Sequence, residues 1–191
     1  MIVTQLIILQ IIAHLISDFV LQPQSWCDKK EKEVFTSHIF YHSAIVLVTS
    51  YILSFDFGFW KAAILLTVIH FLIDAVKSII IQKTKNNYLF FIDQLLHLIT
   101  IIGIVLLYDR IFGVRFLFKM ETKILIIIAG FLFCAKPANI VIKFLLRSFA
   151  ITISVDESDN NGEKSLPNAG KLIGIAERFL ALALILLGQY E

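Results

Sequence analysis

The stretch VIHFLIDAVKSII, residues 68–80, sets His70, Asp74 and Lys77 inside an otherwise apolar run. Residues four apart lie on one face of an α-helix, one turn above the other. A helix here therefore aims an imidazole and a carboxylate in the same direction. The flanking Val, Ile, Leu and Phe show no strand-like alternation, so the run reads as a helix able to face lipid. An ionisable pair in such a segment costs free energy unless it finds partners. The rest of the sequence supplies them.

Hydrophobic residues make up 58% of the 191-residue chain and charged residues 17%. Soluble domains lie nearer about 45–50% apolar and about 25% charged. With a mean hydropathy of +0.83, the balance is that of an integral membrane protein. A net charge of only +2 gives no basic surface for a nucleic acid, so no nucleic-acid partner is expected. Cys27 and Cys134 are far apart and in no CxxC pattern, which argues against a disulfide framework or a thiolate metal site. The opening MIVTQLIILQ lacks a basic n-region and a small-residue cleavage site and reads as a retained helix.

A helix needs about 20 apolar residues to cross the hydrocarbon core. Six segments meet that length: about 2–21, 36–55, 59–81, 89–108, 122–147 and 170–188. The expected fold is all-α: a single polytopic membrane domain over 1–191 with about six transmembrane helices. Residues 152–169, polar and containing Pro167, read as an exposed loop before the last helix. Lys136 and Pro137 interrupt the fifth segment, where a kink or re-entrant turn is expected. Nine Lys and Arg flank the connections after odd-numbered segments, within 29–32, 77–85 and 147–171, against five at the other connections. The positive-inside rule then puts the first set in the cytoplasm and both termini outside.

All five histidines fall in pairs spaced by four. The pairs are His14 and Asp18 in AHLISDF, His38 and His42 in SHIFYHS, His70 and Asp74 in IHFLIDA, and Asp93 and His97 in FIDQLLHL. Because chain direction alternates, all four pairs fall in the same leaflet, on the side of the cytoplasmic connections. HLISD (14–18) and HFLID (70–74) also repeat one pattern, each followed after a basic turn by a second pair. Two similar hairpins of one orientation imply repeats related by an axis along the membrane normal. Facing each other, they make a four-helix bundle with ligands projecting into its core.

One His–Asp pair alone is more often a hydrogen-bonded or proton-relay feature than a metal site. Eight such residues at one depth point instead to a divalent cation, with His14, Asp18, His38, His42, His70, Asp74, Asp93 and His97 as the ligand set. Eight ligands exceed one tetrahedral shell, so one or two ions are expected. Imidazole and carboxylate without thiolate suit Zn, Mn or Fe.

Lys30 and Lys77 are positioned to meet an anionic lipid head group, or to snorkel to the interface. Glu177, next to Arg178 at the start of the last segment, is a candidate base, a further ligand or an ion-pair partner. No Gly-rich phosphate loop, GxSxG or HExxH motif is present.

HLISDFVLQ followed by Trp26 and Lys30, a His-rich second helix, HFLIDAVK and then FIDQLLH together resemble the bacterial membrane proteins of domain-of-unknown-function family 3307. The closing GKLIGIAERFLALALILLGQY is similar to the tail of longer members. The resemblance implies a multi-pass protein of the bacterial inner membrane and carries no activity. His and Asp pairs on membrane helices are more loosely similar to membrane-bound metal-dependent hydrolases, from which no catalytic assignment is carried over.

The residues themselves point to a membrane-embedded metal-dependent hydrolase. Asp93 or Asp74 would take the proton of the attacking water, and a membrane lipid or lipid-linked phosphate or ester would be the substrate. The alternatives are a metal-ion or proton transporter and a metal-stabilised scaffold without catalysis. A transport path needs polar groups in both leaflets, and the opposite one, as in LITIIGIVLL (98–107), is almost wholly apolar, with Gln5 and Gln10 the main exceptions.

Overall fold

A computed structural model describes residues 2–32, 36–84, 88–118, 120–148 and 169–188, with backbone alone at 28, 30–32, 144, 147, 148, 169 and 171. The expected loop over 152–169 lies outside the described residues, except for the backbone of Ala169. Every regular element among the described residues is helical. In chain order these are α1 (Ile2–Leu15), a π-helical turn (Ile16–Val20), α2 (Gln24–Lys32), α3 (Ser37–Ser54) and a 3-10 turn (Phe57–Phe59). They continue as α4 (Trp60–Thr84), α5 (Leu89–Phe112), α6 (Thr122–Ala135), α7 (Pro137–Ser148) and α8 (Ala169–Leu186).

Three helical stretches are long and apolar enough to cross a membrane: Ile2–Val20, Phe57–Thr84 and Leu89–Phe112. The bent pair Thr122–Ala135 and Pro137–Lys143 makes a fourth if it counts as one broken span. These helices are compatible with a membrane protein. Six spans are not reached on length and composition. α3 has 18 residues and mixes two imidazoles and several hydroxyls into its apolar run. α8, also 18 residues long, carries Lys171, Glu177 and Arg178.

The chain divides into two compact units, Met1–Ala129 and Gly130–Glu191. In the first, α1 packs against α3 and α5, and α4 packs against the same two helices. The four form a ring around a shared interior. The short polar α2 lies against α3 and α4. Around the His/Asp pairs, burial in this ring is inverted relative to a soluble bundle. On α4, His70, Asp74 and Ser78 are buried while Val68, Leu72 and Val76 are exposed. On α5, Asp93 and His97 are buried while Leu95, Leu96 and Ile99 are exposed. Apolar side chains on the outside suit lipid, where no hydrophobic force draws them inward.

Away from the histidines the interior is a dry core of Leu6, Val46, Phe59, Ala63, Ile101 and Val105. At its far end the α3–α4 connection is clamped by one buried carboxylate. Asp56 accepts from Gly58 N at 2.8 Å, Tyr108 Oη at 2.9 Å and Arg115 N at 2.9 Å. α5 stops at Gly113, whose φ of +68° few other residues adopt and whose N–H returns to Asp109 O.

In the second unit, Pro137 breaks the helix at Lys136, and the two halves bend by 46°. The kink expected from the sequence is present. Carbonyls near the break are taken by side chains: Cys134 O accepts from Arg178 Nε at 3.2 Å, and Ala135 O from Asn139 Nδ2 at 3.0 Å. Arg178 also donates to Asn139 Oδ1, which ties α8 to α7.

Candidate metal centre

Seven of the eight expected ligands meet inside the ring of α1, α3, α4 and α5. They are His14, Asp18, His42, His70, Asp74, Asp93 and His97, and none exceeds 9% exposure. The reason is periodicity. On each helix the interior face repeats every three or four residues, as in His42, Val46, Ser50 and Ser54 of α3 or Leu66, His70 and Asp74 of α4. A ligand pair spaced by four sits on that face without disturbing the apolar exterior.

Asp18 is the hub. Its Oδ1 lies 3.5 Å from His14 Nδ1, 3.6 Å from His42 Nε2 and 3.7 Å from His70 Nε2. Ser17 Oγ donates to the same oxygen at 2.8 Å and to His14 O at 3.0 Å. The two Nε2 atoms of His42 and His70 face each other at 3.0 Å, and Asp74 Oδ2 lies 3.7 Å from His42 Nε2. Ligand atoms of a tetrahedral shell at usual metal–nitrogen distances stand about 3.3 Å apart. The spacing around Asp18, His42 and His70 therefore fits one small divalent ion.

Asp18 is carried by the π-helical turn, whose mark is the bond from Leu21 N to Ile16 O at 2.8 Å. Such turns interrupt an α-helix at a cost and often sit at functional sites. The sequence reading assumed an unbroken α-helix there. The pair survives because the widening begins after His14.

Asp93 and His97 form the other side of the cluster. Lys77 Nζ bonds Asp93 Oδ2 at 2.7 Å, and Gln94 Nε2 donates to the same oxygen at 3.0 Å. Gln94 Oε1 also meets His14 Nε2 at 3.3 Å, so one amide links α5 to α1. His97 Nδ1 donates to Asp93 O at 2.8 Å. That bond assigns the ring proton to Nδ1 and leaves Nε2 with a lone pair, the form in which imidazole binds metal. Among the described residues His97 Nε2 has no hydrogen-bond partner, nor has Asp93 Oδ1. The His97 ring packs within 4.1 Å of the His70 ring and stacks on His14 at 5.2 Å, centroid to centroid. Three overlapping groups have ligand atoms within 4.8 Å of one another: His14, Asp18 and His70; His42, His70 and Asp74; and Asp74, Asp93 and His97.

His38 is not brought to the cluster. It sits in the first turn of α3, one turn outside His42, stacked on Trp26 of α2 at 5.3 Å with Lys29 Nζ 3.1 Å from its Nε2. Its spacing is that of the other pairs, but its ring is engaged by Trp26 and Lys29 of α2 and not by the cluster. Lys77, 30% exposed, reaches inward to Asp93 and also lies 5.9 Å from the Phe90 ring. Lys30 lies on α2, and its side chain is outside those described. Glu177 is an exposed residue of α8 in the second unit.

Gln94 was missed by sequence reading. It adjoins Asp93, and neighbours on a helix diverge by about 100°, so nothing marked it as facing the ligands. Beside His14, Ser17 and His70 lies a cavity of about 10 Å³, lined also by Gln10, Thr49 and Ser50. It has room for about one water.

Among known proteins, no curated protein and no solved structure matches the chain. A family model, Protein of unknown function (DUF3307), matches residues 6–125. That stretch contains all seven clustered ligands, Gln94 and Lys77, and excludes Glu177 and the similar tail. The resemblance seen in the paired motifs is thereby met over more than half of the 191 residues, and the chain belongs to the DUF3307 family.

Proposed function

We propose that this protein is a membrane-embedded metal-dependent hydrolase, with the His/Asp cluster as an intramembrane divalent-metal site near the cytoplasmic leaflet. The observation that carries the reading is the tautomer of His97. A buried imidazole with its proton committed to a backbone carbonyl, and no partner for its other nitrogen, is a ligand awaiting a cation. His97, Asp93 and Asp74, together with His42, His70 and Asp18, offer the donors for it, and His14 lies beside them. Zn, Mn and Fe all suit these donors. A bound divalent ion polarises a phosphoryl or carbonyl oxygen and acidifies water. The chain's own residues do the rest: Asp74 or Asp93 accepts the proton, and the cavity next to His14 and His70 admits a water. Lys77, which runs from the partly exposed surface to Asp93, would meet the head group of a lipid-linked phosphate or ester. In this reading the remaining helices also span, giving six, and the repeated hairpins form the ligand-bearing half.

The alternatives have less support. The buried Gln10–Ser50 pair carries polarity one step beyond the cluster, but Leu6, Phe59, Ala63 and Val105 close the interior beyond it, which disfavours a transport path. A scaffold does not need seven ligands. Elemental analysis of detergent-purified protein tests the site: near-stoichiometric metal is expected in the wild type and a clear loss of it in His70→Ala. The loaded protein is then assayed on a panel of lipid phosphates and esters. A metal-loaded protein inert across that panel would overturn the hydrolase reading.

A further inference from the structure

The ligand set exceeds what one ion uses, and the surplus is concentrated on one side. Around Asp18, His42 and His70 the candidate atoms face one another at 3.0 to 3.7 Å. On the other side, Asp93 Oδ2 is satisfied by Lys77 and Gln94, whereas Asp93 Oδ1 and His97 Nε2 have no hydrogen-bond partner among the described residues. Both residues are more than nine-tenths buried, at 3% and 2% exposure. Lys77 therefore does not exhaust the acceptors there. Asp74 belongs to both groups, with His42 and His70 on one side and with Asp93 and His97 on the other. A carboxylate so placed can bridge two ions.

We propose that the centre is dinuclear, with one divalent ion held by Asp18, His42 and His70, a second by Asp93 and His97, and Asp74 shared between them. The proposal rests on the metal reading above. It also narrows the substrate by charge. With neutral imidazoles, the three carboxylates and Lys77 sum to two negative charges. Two divalent ions turn that into two positive charges in a buried site, where uncompensated charge is costly. A phosphate-class dianion supplies the balance, and a neutral ester does not. Asp74 and Asp93 then serve first as ligands.

The test is Mn(II) loading of the full-length protein in detergent, removal of excess ion, metal counting by mass spectrometry and electron paramagnetic resonance. Two ions per chain with an exchange-coupled spectrum are expected, together with one ion and an isolated-ion spectrum in His97→Ala. One ion per chain in the wild type overturns the pair and leaves the single-metal reading intact. No bound ion, also after loading with Zn and Fe, overturns both. Should His97→Ala fail to fold, the wild-type stoichiometry and coupling decide alone. Inorganic phosphate is then added to the loaded wild type. A changed coupled spectrum is expected, and an unchanged one at millimolar phosphate overturns the dianion assignment.

Discussion

At position 97 a single hydrogen bond sets the chemistry. A neutral imidazole has one donor and one acceptor nitrogen, and Asp93 O has claimed the donor. Gln94 acts on the same side by holding Asp93 Oδ2 and His14 Nε2 at once. Groups that orient ligands in this way typically contribute about 10–100-fold to metal affinity. Gln94→Ala should therefore weaken metal binding by about that factor, while His38→Ala, outside the cluster, should leave it unchanged. Competition with a calibrated chelator measures both. If the His38 variant weakened binding as much as the Gln94 variant, the boundary drawn around the site would be wrong. Occupancy should also fall as pH is lowered, because protons compete with metal for the same imidazole and carboxylate lone pairs. Residue identity and spacing made the seven clustered side chains legible in the sequence. His38 looked identical by spacing, and Gln94 looked irrelevant. Only the course of α3 and the approach of α1 to α5 separated them.

Between elements, two buried polar clamps hold the ring together. Gln10 Nε2 donates to Ser50 O at 3.0 Å and Ser50 Oγ to Gln10 Oε1 at 2.6 Å, which locks α1 to α3. Breaking one side leaves the other buried and unpaired, at a cost of about 1–3 kcal/mol. Gln10→Leu and Ser50→Ala should each destabilise by about that amount, and the double variant by less than their sum. Thermal unfolding in detergent reads the cycle, and strict additivity would show that the pair does not couple. The second clamp is at Asp56. A Cβ on Gly58 would lie 2.8 Å from Tyr108 Oη and 3.3 Å from Asp56 Oδ1. Gly58→Ala should displace Tyr108 from Asp56 and lower stability by about 1–3 kcal/mol, whereas Gly103→Ala, where a Cβ meets nothing within 4 Å, should not. The helices themselves were legible from composition and run length. The π-helical turn under Asp18 was not, since its extra residue per turn leaves no mark in the hydrophobic pattern.

On the scale of the whole molecule, apolar surfaces compatible with lipid enclose a ring whose interior is polar at one end and apolar at the other, and the end that bears the His/Asp cluster has a side. By the positive-inside rule, the lysine distribution predicts that this end faces the cytoplasm. Lys83 is an exposed residue of the last turn of α4, at that same end. In a background with Cys27 and Cys134 replaced by serine, Lys83→Cys should react with a membrane-impermeant maleimide from the cytoplasmic face only. Labelling from the outer face of intact cells would invert the orientation.

The sequence alone determined the helical class, the apolar runs long enough to cross a membrane and the shared level of the His/Asp pairs, because these depend on hydropathy and on a spacing of four that any helix converts into a common face. Tertiary structure alone decided which of the paired side chains meet, which nitrogen of His97 carries the proton and which carboxylate lies between the two groups. Those depend on how separate helices approach and rotate against each other, and a one-dimensional pattern does not specify that.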